Sequence, residues 1–243
     1  MKRGQVAAFV ILALIAVAIV IQYLAFRDRT VQRDQLGQII ETATIPPQLM
    51  PIKIGVESCI KDTLEESLLL VSLQGGRFVL QEPYFSTEGI ATSYGSYQRR
   101  LTLPSLEKIE EELAIALETL LPLCVDALSF PAFSLINEGI NTDITINNKG
   151  INANVRYPLT ITRGNTTTLL NPHYEAAIQT DFKGMYATAN HLAEQQTDFI
   201  KLTPLINSQY ELNLLYTKEN ALVYLIHSKE GEELSYTFMF AVP

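Results

Sequence analysis

From Val6 to Ile21 every residue is Val, Ala, Phe, Ile or Leu, and after Gln22 the run continues through Tyr23, Leu24, Ala25 and Phe26 to Arg27. These roughly 21 residues would make ~31 Å of helix, the hydrocarbon thickness of a bilayer. Neither Pro nor Gly interrupts them. A cleaved secretory signal is the competing reading, but its apolar region runs ~7–15 residues and ends in small residues. Here the run is longer and ends in Tyr23, Phe26 and Arg27. A retained membrane anchor is the expectation.

The anchor divides the chain. Residues 1–4 read as a leader, 5–26 as a transmembrane helix and 27–47 as a helical stalk. The stalk has a loose apolar stripe of Val31, Leu36, Ile39 and Ile40 and is stopped by Pro46-Pro47. Residues 48–243 form an α+β domain with a sub-boundary near 130–142. The charge follows the same division. The first 33 residues hold Lys2, Arg3, Arg27, Arg29 and Arg33 against Asp28 alone, leaving 13 of the 18 basic and 25 of the 26 acidic residues, a net of −12, to the rest. So acidic a domain repels phosphate backbones, which argues against nucleic-acid binding.

Within the domain, Val56, Ile60, Leu64, Leu68 and Val71 recur at helical spacing between Gly55 and Leu73, with Gly75-Gly76 as a stop. A second helix is expected from Pro104 to Leu121 or slightly beyond. Its stripe is Leu106, Ile109, Leu113, Leu117, Leu120 and Cys124, and Pro122 should kink or end it. Between the helices, 77–80 and 90–101 read as short strands or loop. Segments 143–146, 151–162 and 166–170 are rich in Thr, Ile and Val and predict strands, with a hairpin turn at Asn147–Gly150. A helix over 181–196 and a closing antiparallel meander over 209–217, 221–228 and 234–242 complete the reading. The expected class is α+β: a two-helix segment joined by a disulfide, then an antiparallel sheet with an additional helix.

Cys59 and Cys124 are the only cysteines, each on or beside the apolar stripe of its helix. A bond between them would close a loop of about 64 residues and stabilise the fold by ~4 kcal/mol. The alternative is two buried thiols. Two cysteines without C-x-x-C or H-x-x-x-H spacing exclude an ordinary zinc site, and no metal or cofactor is expected. His173, His191 and His227 share no ligand spacing. Ser58 with Lys61 and Ser105 with Lys108 match S-x-x-K, but neither S-D-N nor K-T-G accompanies them. Ser105 belongs instead to a helix start. Glu65-Glu66 and Glu110-Glu111-Glu112 read as charge on polar helix faces. Asn141, Asp143 and Asn147 are spaced loosely like a calcium loop, without its Gly and closing Glu. Tyr84, Phe85, Tyr94 and Tyr97 concentrate aromatic area between the first two helices, either as a binding surface or as packing over the core.

The N-terminus Lys2-Arg3-Gly4-Gln5, followed at once by the apolar run, resembles the class III signal peptide of archaeal type IV pilin-like proteins. That resemblance implies cutting between Gly4 and Gln5 by a prepilin-type peptidase, with the helix kept on the mature protein. Many pilins place Glu at the fifth mature position; here it is Phe9, so the usual Glu pairing is missing. The layout also resembles membrane-anchored surface proteins of small-genome archaea. A Cys-bearing helix ends in Gln74-Gly75-Gly76, a second Cys lies late in the next helix, and the closing strand is Phe238-Met239-Phe240-Ala241. The signal, the cysteine pair and the sequon Asn165-Thr166-Thr167 favour a cytoplasmic N-terminus and an extracellular domain. Flanking charge decides nothing, since basic residues lie on both sides. The function these features imply is a non-enzymatic surface protein in adhesion, envelope structure or pilin-like assembly. The alternatives are a tethered ligand- or partner-binding module and, third, a surface hydrolase. Membrane lipid, and protein partners or further copies of the chain, are the expected partners.

Overall fold

The computed structural model describes residues 46–87, 89–194, 210–218, 221–228 and 236–243. The leader, the Gly4/Gln5 processing site, the apolar run and all but the end of the stalk lie outside these. So do the end of the third expected helix and most of the two connections of the closing meander. Among the described residues, no helix is long and apolar enough to cross a membrane.

The compact unit Pro47–Pro243 is a mixture of helices and antiparallel strands. Helix α1 is Met50–Leu73, starting one turn earlier than its apolar spacing predicts, because Pro51 suits a first turn. Gly75 and Gly76 end it in the left-handed region, the Gly76 N–H reaching back to the Val71 carbonyl at 2.8 Å. Helix α2 is Leu106–Ala127, with Ser105 as its N-cap, accepting from the Lys108 N–H. Pro122 does not end it. An interior proline removes a hydrogen bond, at a cost of roughly 3 kcal/mol. Here the turn beyond it is anchored by buried Val125 and by the bond from Cys124 to Cys59. The two helices pack together on that disulfide, with Cα atoms 5.7 Å apart.

Among the described residues the strands form five small sheets rather than the one expected. Strands β1 (Tyr84–Thr87) and β2 (Ile90–Ser93) make one hairpin, and β3 (Ser96–Tyr97) and β4 (Arg100–Leu101) a second. Then come β5 (Ser134–Asn137), β6 (Asn141–Asn147), β7 (Gly150–Arg156), β8 (Leu159–Arg163), β9 (Thr166–Leu170) and β10 (His173–Ile178). Segment 151–162, expected as one strand, breaks at Tyr157-Pro158. Proline cannot donate to a ladder, and the chain passes from the sheet β10-β7-β6 to the sheet β5-β8-β9. Helix α3 (Phe182–Glu194) follows, then β11 (Tyr210–Tyr216), β12 (Leu222–Ser228) and β13 (Thr237–Val242) as the expected antiparallel meander.

Two layers hold this together. Period-two alternation gives the sheet β10-β7-β6 one apolar face, with Ile144, Ile146, Ile151, Ala153, Val155, Tyr174 and Ile178 buried on the side packed by α1 and α2. The meander is buried on both faces along β12 and β13. Phe182 of α3 meets Phe238 edge-on at 5.9 Å, and opposite them Phe85, Val223, Met239 and Ala241 cluster with Leu73 and Tyr94. Tyr157 and Tyr174 belong to the first layer. Burial first and Asp126 second push the Tyr157 hydroxyl up to about 12. Burial, Glu57 and Tyr157 raise Tyr174 further. A raised phenol stabilises the fold fully below its unfolded value near ~10 and loses that contribution as pH rises through the folded value. The unfolding free energy measured in urea should therefore fall between about pH 9 and about pH 12, by roughly 2–3 kcal/mol for Tyr157 alone. The part of the phenolate absorbance that Tyr157 contributes should rise together with unfolding, not before it.

Candidate functional site

The acidic residues of α2 do something other than solvate it. Glu112, expected on a polar face, is 4% exposed. Its Oε2 accepts the N–H groups of Phe78 (3.0 Å) and Val79 (3.5 Å), and its Oε1 lies 3.5 Å from Lys108 Nζ. Glu118 Oε1 accepts the N–H of Thr142 at 2.8 Å, and Glu110 Oε1 that of Ile146 at 2.7 Å. Eight residues of helix rise about 12 Å and four of strand about 13 Å, so these two carboxylates match N–H groups four residues apart on an edge strand. Helix α2 thus covers the outer edge of β6 with charge-assisted bonds. These carboxylates are committed to backbone donors. Glu112→Ala should lower stability by about 2–3 kcal/mol, because two N–H groups lose their acceptor. Glu112→Gln should cost less, and chemical denaturation of both variants checks the order.

The other sequence candidates are dispersed. Ser58 donates to Asp62 at 3.5 Å rather than meeting Lys61. His173 lies on β10, His191 on α3 and His227 on β12, where its Nδ1 is 2.7 Å from Thr237 Oγ1. Asn141, Asp143 and Asn147 do not form a loop. They lie along β6, where extended backbone spaces alternate side chains too far apart to surround one ion. Among the described residues, no group of three metal-ligating side chains converges. Of the four aromatics, Phe85 is in the core at 2% exposure and Tyr84 is largely exposed. Tyr94 bridges Phe85 (6.4 Å) and Tyr97 (5.2 Å). The Tyr94 hydroxyl is raised by burial and then by Tyr97. Asn165 sits with Gly164 in the two-residue turn from β8 to β9, exposed, with Gly164 at φ +59° and open space around it.

Two further features were hidden in the sequence. The solvent face of the sheet β10-β7-β6 is a grid of cross-strand rows: His173–Arg156–Asn141, Glu175–Asn154–Asp143 and Ala177–Asn152–Thr145. Over the last two rows lies an open hollow of ≈ 570 Å³ edged by Thr145, Asn152, Asn154 and Glu175, a size that suits a ligand group. Strand β10 was not expected from the sequence, so Glu175 could not be placed beside Asn154. The period-two pattern Ile151-Asn152-Ala153-Asn154-Val155 was the available signal. The second feature is the β3–β4 hairpin. Its two turn residues, Gln98 (φ 51°) and Arg99 (φ 63°), both adopt the left-handed conformation of a type I′ turn. Asn-Gly fills such turns at little cost, whereas other residues lose roughly 1–2 kcal/mol each. Arg99 and Arg100 are exposed at this tip, and Leu101 beside them is 43% exposed.

Comparison with protein-family models, with curated proteins and with solved structures finds no match for this chain.

Proposed function

We propose that the chain is a non-enzymatic, membrane-anchored surface protein, with its N-terminus cytoplasmic and its α+β domain outside, serving adhesion, envelope structure or pilin-like assembly. The observation that carries this reading is the apolar run of Val6–Phe26, broken only by Gln22, joined to an acidic domain whose only cysteines are paired. Such pairs persist in oxidising surroundings and are rare in the reducing cytosol. The class III signal resemblance at Lys2–Gln5 adds a route by which the helix stays on the mature protein after cutting before Gln5. Asn165, at the tip of an exposed hairpin, offers a place for a glycan. Tyr84, Tyr94 and Tyr97 give the hairpins between α1 and α2 partly exposed aromatic area for contact. No cofactor, metal or nucleic-acid partner is assigned.

Protease treatment of intact cells tests the location. The domain should be cut from whole cells, and its cysteines should resist alkylation until reduced. Protection until lysis, or free thiols in the native protein, would overturn the proposal. Mass measurement of the mature N-terminus separates cutting before Gln5 from an unprocessed anchor.

A further inference from the structure

We infer that the chain binds a second copy of itself head to tail, the Arg99-Arg100 tip of one copy entering the Thr145–Asn154–Glu175 hollow of the next. The inference deepens the assembly role proposed above and rests on it for its setting. The two features are chemically complementary. A guanidinium is a planar fork of five N–H donors that cannot lose its charge in proteins. The hollow presents acceptors: the Glu175 carboxylate, the amide oxygens of Asn152 and Asn154, and the Thr145 hydroxyl, with Asp143 in the same row as Glu175. Among the described residues, no ion pair engages Arg99, Arg100, Asp143 or Glu175 within the chain. Arg156, one row from the hollow, is held to Asn171 Oδ1 at 3.3 Å.

The turn geometry points the same way. Asn-Gly would relax the backbone at 98–99 but would remove a cation from the tip. Strain kept at an exposed turn suggests that what the turn presents matters, and here it presents adjacent arginines in a domain with nearly twice as many acidic as basic residues. A second copy is the natural occupant, because the contact joins two different patches of one surface. Such a heterologous contact propagates into a ring or an open filament instead of stopping at a dimer.

Charge swapping tests this on the purified full-length chain in mild detergent, by sedimentation velocity with increasing protein concentration. The wild type should self-associate at low salt, and more weakly as salt screens the pairs. R99E/R100E and E175R, each alone, should weaken association at least about tenfold. An equal mixture of the two should restore it, since every tip then meets a hollow of opposite charge. Restoration requires both variants to be folded, which guards against simple loss of structure. Gln98→Asn with Arg99→Gly should raise Tm while weakening association, which a merely structural turn would not do. A wild type that stays monomeric, reversed variants that sediment like the wild type, or a mixture that fails to associate would each overturn the inference. Surface location is read separately by protease treatment of cells, so either proposal can fail while the other stands.

Discussion

Replacing Cys59 and Cys124 together by alanine should lower the stability of the domain by about 4 kcal/mol, because the bond closes a long loop that the unfolded chain would otherwise leave open. The paired residues are 65 apart, and the loop between them contains both short hairpins, which have few strand pairs of their own. For a domain of this size the loss corresponds to a fall in Tm of about 10 °C. The effect extends beyond chain entropy. Cys59 is buried, and the bond anchors the part of α2 that continues past Pro122. In the double variant the last turn of α2 should fray, and amide exchange should quicken from 122 to 127 ahead of the rest of the helix. Thermal unfolding with and without reductant measures the main effect. Wild-type protein that unfolds at the same temperature in both conditions would show that the bond contributes nothing.

Gly150→Ala should be comparably damaging for a different reason. Gly150 closes the β6–β7 hairpin opposite Asn147 with φ +143°, and a Cβ there would lie 1.9 Å from the carbonyl oxygen of Ile178. That contact is with backbone, so no side-chain rotation relieves it. Strand β10 would have to move away from β7, opening the register that holds Tyr174 against Val155 and Ile178 against Ile151. A loss of about 3 kcal/mol is expected. Gly139→Ala is the control: its φ is +115°, but nothing lies within 4 Å of the added methyl, so it should cost only about 1–2 kcal/mol. Urea unfolding of the pair separates a steric clash from backbone strain. Equal losses in the two variants would argue against the clash.

The elements that periodicity alone could specify were legible in the residues. Helices α1 and α2 announced themselves because apolar side chains three and four apart must share one face. The closing meander did so because three apolar runs with short polar connections can hardly pair otherwise. The cysteine pair was readable from its place on two such faces, and Ser105 from its position after Pro104 and before a periodic run. Strand β10 was less legible. His173–Ile178 gains its strand character by pairing with β7, a partner whose nearest residues are 17 positions away.

What the sequence by itself determined is where apolar surface of the domain must go: the inner faces of the two long helices and the apolar positions of the closing strands. These follow from the cost of wetting hydrocarbon, which depends on each residue and its near neighbours. Only the tertiary structure decided what the polar residues do. Glu112 is buried because a loop more than 30 residues away needs acceptors, and Glu110 and Glu118 cap an edge strand because helix and strand rises are commensurate. Asp143, Asn154 and Glu175 share a row only through the register of three strands. A hydrogen bond or a charge pair is set by position in space, and residues far apart in the chain meet only after the fold has formed.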